Sequence, residues 1–185
     1  MTRLAQRAVE LGKDDAIALG AGGNALAFVV RDPGVGAGLI DRALVLNSNL
    51  AEAWNFGGWV KIWVGEPEAA IERFARAMRL SPLGPWVTRM RNGTACAHFF
   101  LGRYDEAASW AAMALQDNPD FQTGLRIDAA SNAMAGRSEQ ARRAVARLRQ
   151  LNPALRVSNL KGRGPWRAED LARFEEGLRR AGLPE

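Results

Sequence analysis

Three stretches of the chain copy one another in step. Gly65-Glu66-Pro67-Glu68-Ala69-Ala70 runs through Phe74 and Ala77 to Ser81-Pro82. Gly102-Arg103-Tyr104-Asp105-Glu106-Ala107 runs through Ala111 and Ala114 to Asn118-Pro119. Gly136-Arg137-Ser138-Glu139-Gln140-Ala141 runs through Val145 and Leu148 to Asn152-Pro153. The closing prolines at 82, 119 and 153 stand 37 and then 34 residues apart, and the glycines at 65, 102 and 136 keep the same two spacings. Two independent markers in one register define a repeat, and a period near 34 residues is the length of a helix pair. Each residue type has a mechanical role. The glycines close one helix, because only Gly enters the left-handed region without strain. Ala70, Ala107 and Ala141 fall where two antiparallel helices cross, and a small side chain permits a short interaxial distance. Phe74, Ala111 and Val145 lie one turn further along the same face. The prolines stop the second helix of each pair.

A weaker copy precedes these. Arg42-Ala43-Leu44-Val45-Leu46-Asn47 matches Arg76-Ala77-Met78-Arg79-Leu80-Ser81 at 34 residues, which puts Gly36 on the crossing position of Ala70. Ala5 to Leu11 reads as a second helix whose partner is missing, as in a piece of a longer protein. The periodicity predicts helices near 2–12, 15–30, 34–46, 50–64, 67–80, 85–101, 104–117, 121–135 and 138–150. After Pro153 the pattern breaks into a loop from Leu155 to Pro165. Arg167 to Ala181 then reads as one amphipathic helix, with Leu171, Phe174 and Leu178 on one face. A stack of repeats needs a terminal element with a polar outer side, and this helix is placed to supply it.

With Trp54, Gly58, Ala70, Phe74, Ala77 and Pro82, the second repeat carries most of the tetratricopeptide (TPR) pattern, departing from it at Gly57 and Lys61. The chain thus resembles a TPR array over roughly residues 14 to 153. The resemblance implies an all-α fold: a right-handed α-solenoid of TPR helix-turn-helix repeats with a C-terminal capping helix. Residues 1–153 form the array, with a partial helix at 2–12 and repeats near 14–48, 49–82, 83–119 and 120–153. Residues 154–185 form a loop and the capping helix. A narrower resemblance follows from Gly57-Gly58-Trp59-Val60, from Phe74 to Leu83, from Ala97 to Ala107, and from Glu169-Asp170-Leu171 and Glu176 to Pro184. These stretches are similar to the C-terminal TPR region of certain bacterial class III adenylate/guanylate cyclases. That resemblance implies a regulatory or scaffold end of a cytoplasmic signalling protein, whose catalytic domain precedes the array.

The array points away from catalysis. A cyclase needs two metal-binding carboxylates with purine- and phosphate-binding residues, and no such set falls within the repeats. Cys96 is the single Cys and His98 the single His of the 185 residues, so neither an internal disulfide nor a Cys/His zinc site is expected. His98 takes the place of a family Tyr and reads as a packing residue. Gly20-Ala21-Gly22-Gly23 and Gly34-Val35-Gly36-Ala37-Gly38 lack the spacing and the Lys of a phosphate loop. They read as Gly in place of Ala at crowded helix contacts, at about 1 kcal/mol of helix stability each. Asp14-Asp15, Glu68, Glu106 and Glu169-Asp170 sit at helix starts, where negative charge suits the macrodipole. No cofactor or metal is expected. The formal charge of +5 is dispersed without a basic and aromatic stripe, and no segment is apolar enough to span a membrane. Neither a nucleic acid nor a membrane is therefore expected as a partner.

What remains is recognition of a protein. In TPR arrays the first helix of each pair lines a concave groove. In this register Asn55 aligns with Asn92 and Arg126, Trp59 with Cys96 and Ala130, and Trp63 with Phe100 and Met134; Arg89 precedes Asn92 by one turn. Asn donates and accepts at once, which suits a peptide backbone. Arg89 and Arg126 suit a carboxylate. One reading makes Asn55, Trp59, Arg89, Asn92 and Arg126 a groove for a peptide or partner domain of acidic character. The other makes them braces between helices, with Trp59 and Trp63 in the core. A homo-oligomer is the alternative function, formed through the apolar edge that an incomplete first pair exposes.

Overall fold

The computed structural model describes residues 12–160 and 164–185. Its contacts divide into two compact units, Met1–Met90 and Arg91–Glu185. Among the described residues every regular element is helical. The expected helix at 2–12 lies outside them.

The first unit holds α1 (Ala16–Ala25), α2 (Pro33–Leu46), α3 (Ala51–Trp63) and α4 (Pro67–Leu80). Asp15 caps α1 by accepting from the amides of Ile17 and Ala18, and Asp32 caps α2 by accepting from Val35. The expected helix over 15–30 is present as a continuous helical run from Ala16 to Val30, but its last five residues, Leu26–Val30, form a π-helical turn that ends on Arg31 with a positive φ of 62°. Pro33 is the physical reason for the stop: it holds φ for a new helix and removes a donor. Pairs α1–α2 and α3–α4 pack as hairpins, and α2 packs on α3. Leu19, Ala43 and Ala53 form a buried cluster where the two hairpins meet. Phe74 is fully buried and meets the Trp59 ring edge-on at 5.7 Å. Gly57 departs from the TPR pattern because Arg73 lies against it; a Cβ there would collide with the guanidinium, which pairs with Asp41 at 2.8 Å.

Helix α5 (Val87–Phe100) crosses the division, and the second unit continues with α6 (Tyr104–Asp117), α7 (Gln122–Met134), α8 (Ser138–Leu151) and α9 (Ala168–Arg180). Ala107, Ala111, Ala114 and Ala141 are fully buried, as crossing and core positions require. The repeating glycines do what their spacing implies. Gly65, Gly102 and Gly136 adopt φ of 84°, 75° and 79°. Each closes its helix with the same pair of hydrogen bonds: Gly136 donates to Ala133 O at 3.1 Å and Arg137 to Asn132 O at 2.8 Å, as Gly102 and Arg103 donate to Phe99 O and His98 O. Arg91 ties α5 to α6, donating to Met113 O at 3.2 Å and pairing with Asp117 at 2.6 Å. Arg137 pairs with Asp105 across the α6–α8 side.

The C-terminal helix has a definite seat. α9 packs on α7, where Gly177 lies so close that a Cβ would stand 2.9 Å from the Ala130 Cβ. Its Phe174 meets Phe99 edge-on at 5.9 Å, and Trp166 tilts against Phe100 at 5.6 Å. Leu155, Val157, Leu160 and Leu183 are buried beside it, and the Val157 amide donates to Pro184 O at 2.8 Å.

Candidate functional site

The five residues assigned to the groove divide between the units. Asn55, Trp59 and Arg89 fall in the first, Asn92 and Arg126 in the second.

In the first unit, Asn55, Trp59 and Trp63 stand at four-residue steps on α3 and so share one face. Asn55 is only 1% exposed and its Oδ1 has no hydrogen-bond partner; the indole Nε1 atoms of Trp59 and Trp63 are likewise buried without partners. Trp59 keeps a part-exposed edge and tilts against Trp63 at 6.3 Å, while Phe28 from the π turn covers Trp63 at 5.7 Å. Arg89 is exposed and lies over the Trp86 ring at 5.2 Å. Trp86 in turn donates Nε1 to Glu52 Oε1 at 2.8 Å and packs edge-on to Phe56, so Arg89 is tied to the first turns of α3.

In the second unit, Asn92 is 2% exposed; its Oδ1 lacks a partner and its Nδ2 leans on Cys96 Sγ at 4.0 Å. Burial pushes the Cys96 thiol up to about 12, against the opposing pull of the Arg126 charge, so the thiol is inert near neutral pH. Asn92, Cys96 and Arg126 thus form one neighbourhood. The groove reading asks for both asparagines at the surface and the bracing reading asks for them between helices; both are buried, while Trp59 and Arg126 are part-exposed and Arg89 is exposed.

A polar network escaped the sequence reading. Asp128 on α7 accepts from Asn132 Nδ2 at 2.9 Å, and Arg137 Nε donates to Asn132 Oδ1 at 2.7 Å. Burial raises the Asp128 carboxyl from 3.8 to about 6, opposed by Asn132 and by the Arg137 charge. The four-residue step from Asp128 to Asn132 was the available signal. His98 sits half-buried; burial lowers its pKa first of all, Glu106 opposes, and its Nδ1 has no partner. Among the described residues no His/Cys/Asp/Glu group could hold a metal, and no helix is long and apolar enough to cross a membrane. A shallow depression lined by Ala146, Arg149, Gln150 and Pro153 touches none of the assigned residues.

No protein-family model matches the chain, and no curated protein sequence does either. Solved structures do. The type IV pilus biogenesis factor PilW is similar over 96% of this chain and 78% of its own, at 15% identity and a TM-score of 0.76. MamA is similar over 82% of this chain and 81% of its own, at 16% identity and a TM-score of 0.66. YrrB, described as a TPR protein with an unusual peptide-binding site, is similar over 98% of this chain and 92% of its own, at 20% identity and a TM-score of 0.65. The fold class is therefore that of the TPR proteins, an all-α solenoid of helix-turn-helix pairs.

Proposed function

We propose that the chain is a protein–protein interaction module, without catalytic activity of its own, that takes a peptide or partner segment on the faces of its first helices. The supporting observation is the set of buried polar atoms without partners on those faces: Asn55 Oδ1 and Trp59 Nε1 on α3, and Asn92 Oδ1 on α5. Such groups cost about 1–3 kcal/mol each when left unmade, and native proteins keep few of them without a use. In this reading each unit offers its own contacts. In the first, Arg89 suits an acidic group, Trp59 gives an apolar rest and the Asn55 oxygen accepts from a peptide backbone once neighbouring side chains part; in the second, Arg126 and the Asn92 oxygen do the same. YrrB, a TPR protein with a peptide-binding site, offers a precedent for such use of the fold.

The finer context is proposed on the sequence alone: the C-terminal, cytoplasmic end of a bacterial adenylate or guanylate cyclase, regulating or scaffolding it. The test is quantitative affinity capture from source-cell extract with the wild type, an Arg89→Glu/Arg126→Glu variant and an Asn55→Ala/Asn92→Ala variant. Helix content is checked by circular dichroism. At least a tenfold loss of specific partners from folded variants is expected. An unchanged partner set would remove the groove assignment.

Self-association is a second reading, favoured by one observation. The first unit leaves Ile17, Phe28, Val29, Val35, Val45 and Leu46 between 45% and 86% exposed. Light scattering over a wide concentration range distinguishes it, since a strict monomer at high concentration contradicts it.

A further inference from the structure

We propose, resting on the partner-binding reading, that the first-helix face of the second unit is a receptor for an amphipathic helix bearing an aromatic residue and a glycine on its inner side. α9 is the resident occupant of this face, and a partner helix of the same chemistry competes for it.

Register sets α9 apart from the other helices. Within the units α2 packs on α1, α3 on α2, α4 on α3, α7 on α6 and α8 on α7. A helix that extended such a series would pack on the one before it. α9 packs chiefly on α7, a first helix, instead of on α8. Its Phe174 packs on Phe99, and Trp166 just before it packs on Phe100; both phenylalanines come from α5, another first helix. In the repeat register Ala130 aligns with Trp59, a residue of the groove reading, and Phe100 aligns with Trp63.

The contacts of α9 follow a helical step. Phe174, Gly177, Leu178 and Ala181 recur at three- and four-residue steps; Gly177, Leu178 and Ala181 are buried, and Phe174 packs on Phe99. That is how an amphipathic helix seats itself in a preformed groove. Glycine is required at the crossing, because a side chain at 177 would meet the Ala130 backbone. Arg173 donates Nη1 to Phe100 O at 2.6 Å, a cation on the last carbonyls of α5 where the helix dipole is negative. Trp166 and Phe174 close the aromatic end, with ring centroids 6.4 Å apart.

The fit of α9 is incomplete. Asp170 and Glu175 are each 8% exposed, and Glu175 Oε1 has no partner while its other oxygen reaches Arg179 only at 3.5 Å. Burying a carboxylate oxygen without a donor weakens docking. A competing helix with a neutral residue at that place gains over α9 while using the same anchors.

The test uses the full chain and a fluorescein-labelled peptide of residues 164–185 as the probe. In the chain, Gly177→Val forces α9 off Ala130. The Gly177→Val chain is expected to bind the peptide saturably and at least tenfold tighter than the wild type does. A peptide carrying Phe174→Ala is expected to lose at least tenfold. No binding to the variant chain, or equal binding of both peptides, overturns the proposal. A second arm does not depend on that variant. A protease site is placed between Leu160 and Gly164, and the folded chain is cut and diluted. Exchange of the freed helix with labelled peptide supports the proposal. A helix that stays seated through repeated dilution and excludes the peptide overturns it. Uptake of the peptide by a chain that captures no protein keeps this inference and sinks the general reading; protein capture without peptide uptake does the reverse.

Discussion

The first and the last hairpin share one topology and are finished in opposite ways. α7–α8 turns at Gly136 through two backbone hydrogen bonds, buries Ala141 at its crossing, and receives α9 against Ala130. α1–α2 turns through a π-helical segment onto Arg31 and has glycines at its crossing, where Gly36 lies against Ala27 and the Gly23 carbonyl. It leaves Ile17, Phe28, Val29, Val35 and Val45 in solvent. Two helices can therefore be held antiparallel by local turn chemistry or by close backbone approach. Turn chemistry fixes the geometry from within a few residues. Close approach needs glycine, which weakens the helices it joins.

The largest expected effect belongs to the last hairpin. Asp128 has its carboxyl raised from 3.8 to about 6 in the folded state. The folded chain thus holds a proton that the unfolded chain releases. This contribution is fully present below pH 4 and is lost as pH rises through 6, an effect of about 3 kcal/mol at most. Urea denaturation from pH 4 to pH 7 measures it, and Asp128→Asn is expected to flatten that limb of the profile. Next comes Gly36→Ala in the first hairpin. Its new methyl group would lie 2.6 Å from the Ala27 Cβ, so the helices must separate, and a loss of about 1–3 kcal/mol is expected on chemical denaturation. Gly136→Ala meets nothing within 4 Å but keeps a φ of 79°, so only backbone strain of about 1–2 kcal/mol is expected. The smallest change has the opposite sign. Gly38, also in α2, faces open space, and Gly38→Ala is expected to stabilise by about 1 kcal/mol, read as a rise in Tm. If Gly36→Ala and Gly38→Ala move together, the contrast between the hairpins fails.

The helices and their joints were legible because their causes are local. Glycine at 65, 102 and 136, alanine five residues on and proline after the second helix each act within one turn of chain. The expected helix from 67 to 80 is α4 and that from 104 to 117 is α6. The π turn was not legible, since Leu26 to Val30 carries no residue that distinguishes i+5 from i+4 bonding. The helix at 168–180 could be read from its apolar steps, but its seat could not, because Gly177 and Ala130 are distant in sequence and both merely small. The repeat register aligns Asn55 with Asn92; their burial depends on neighbours that the register does not weigh. Asp128 was overlooked because its partners, Asn132 and Arg137, straddle the turn.

Native-state hydrogen exchange of the full chain tests most directly whether the second unit's first-helix face carries a removable cover. Openings smaller than global unfolding appear as regions whose exchange is faster than that of the core. The amides of α9 are expected to exchange at least tenfold faster than the slowest amides of α7 and α8, yet slower than those of the isolated 164–185 peptide. Exchange of α9 in step with α7 and α8, at the global unfolding rate and no sooner, would contradict the account.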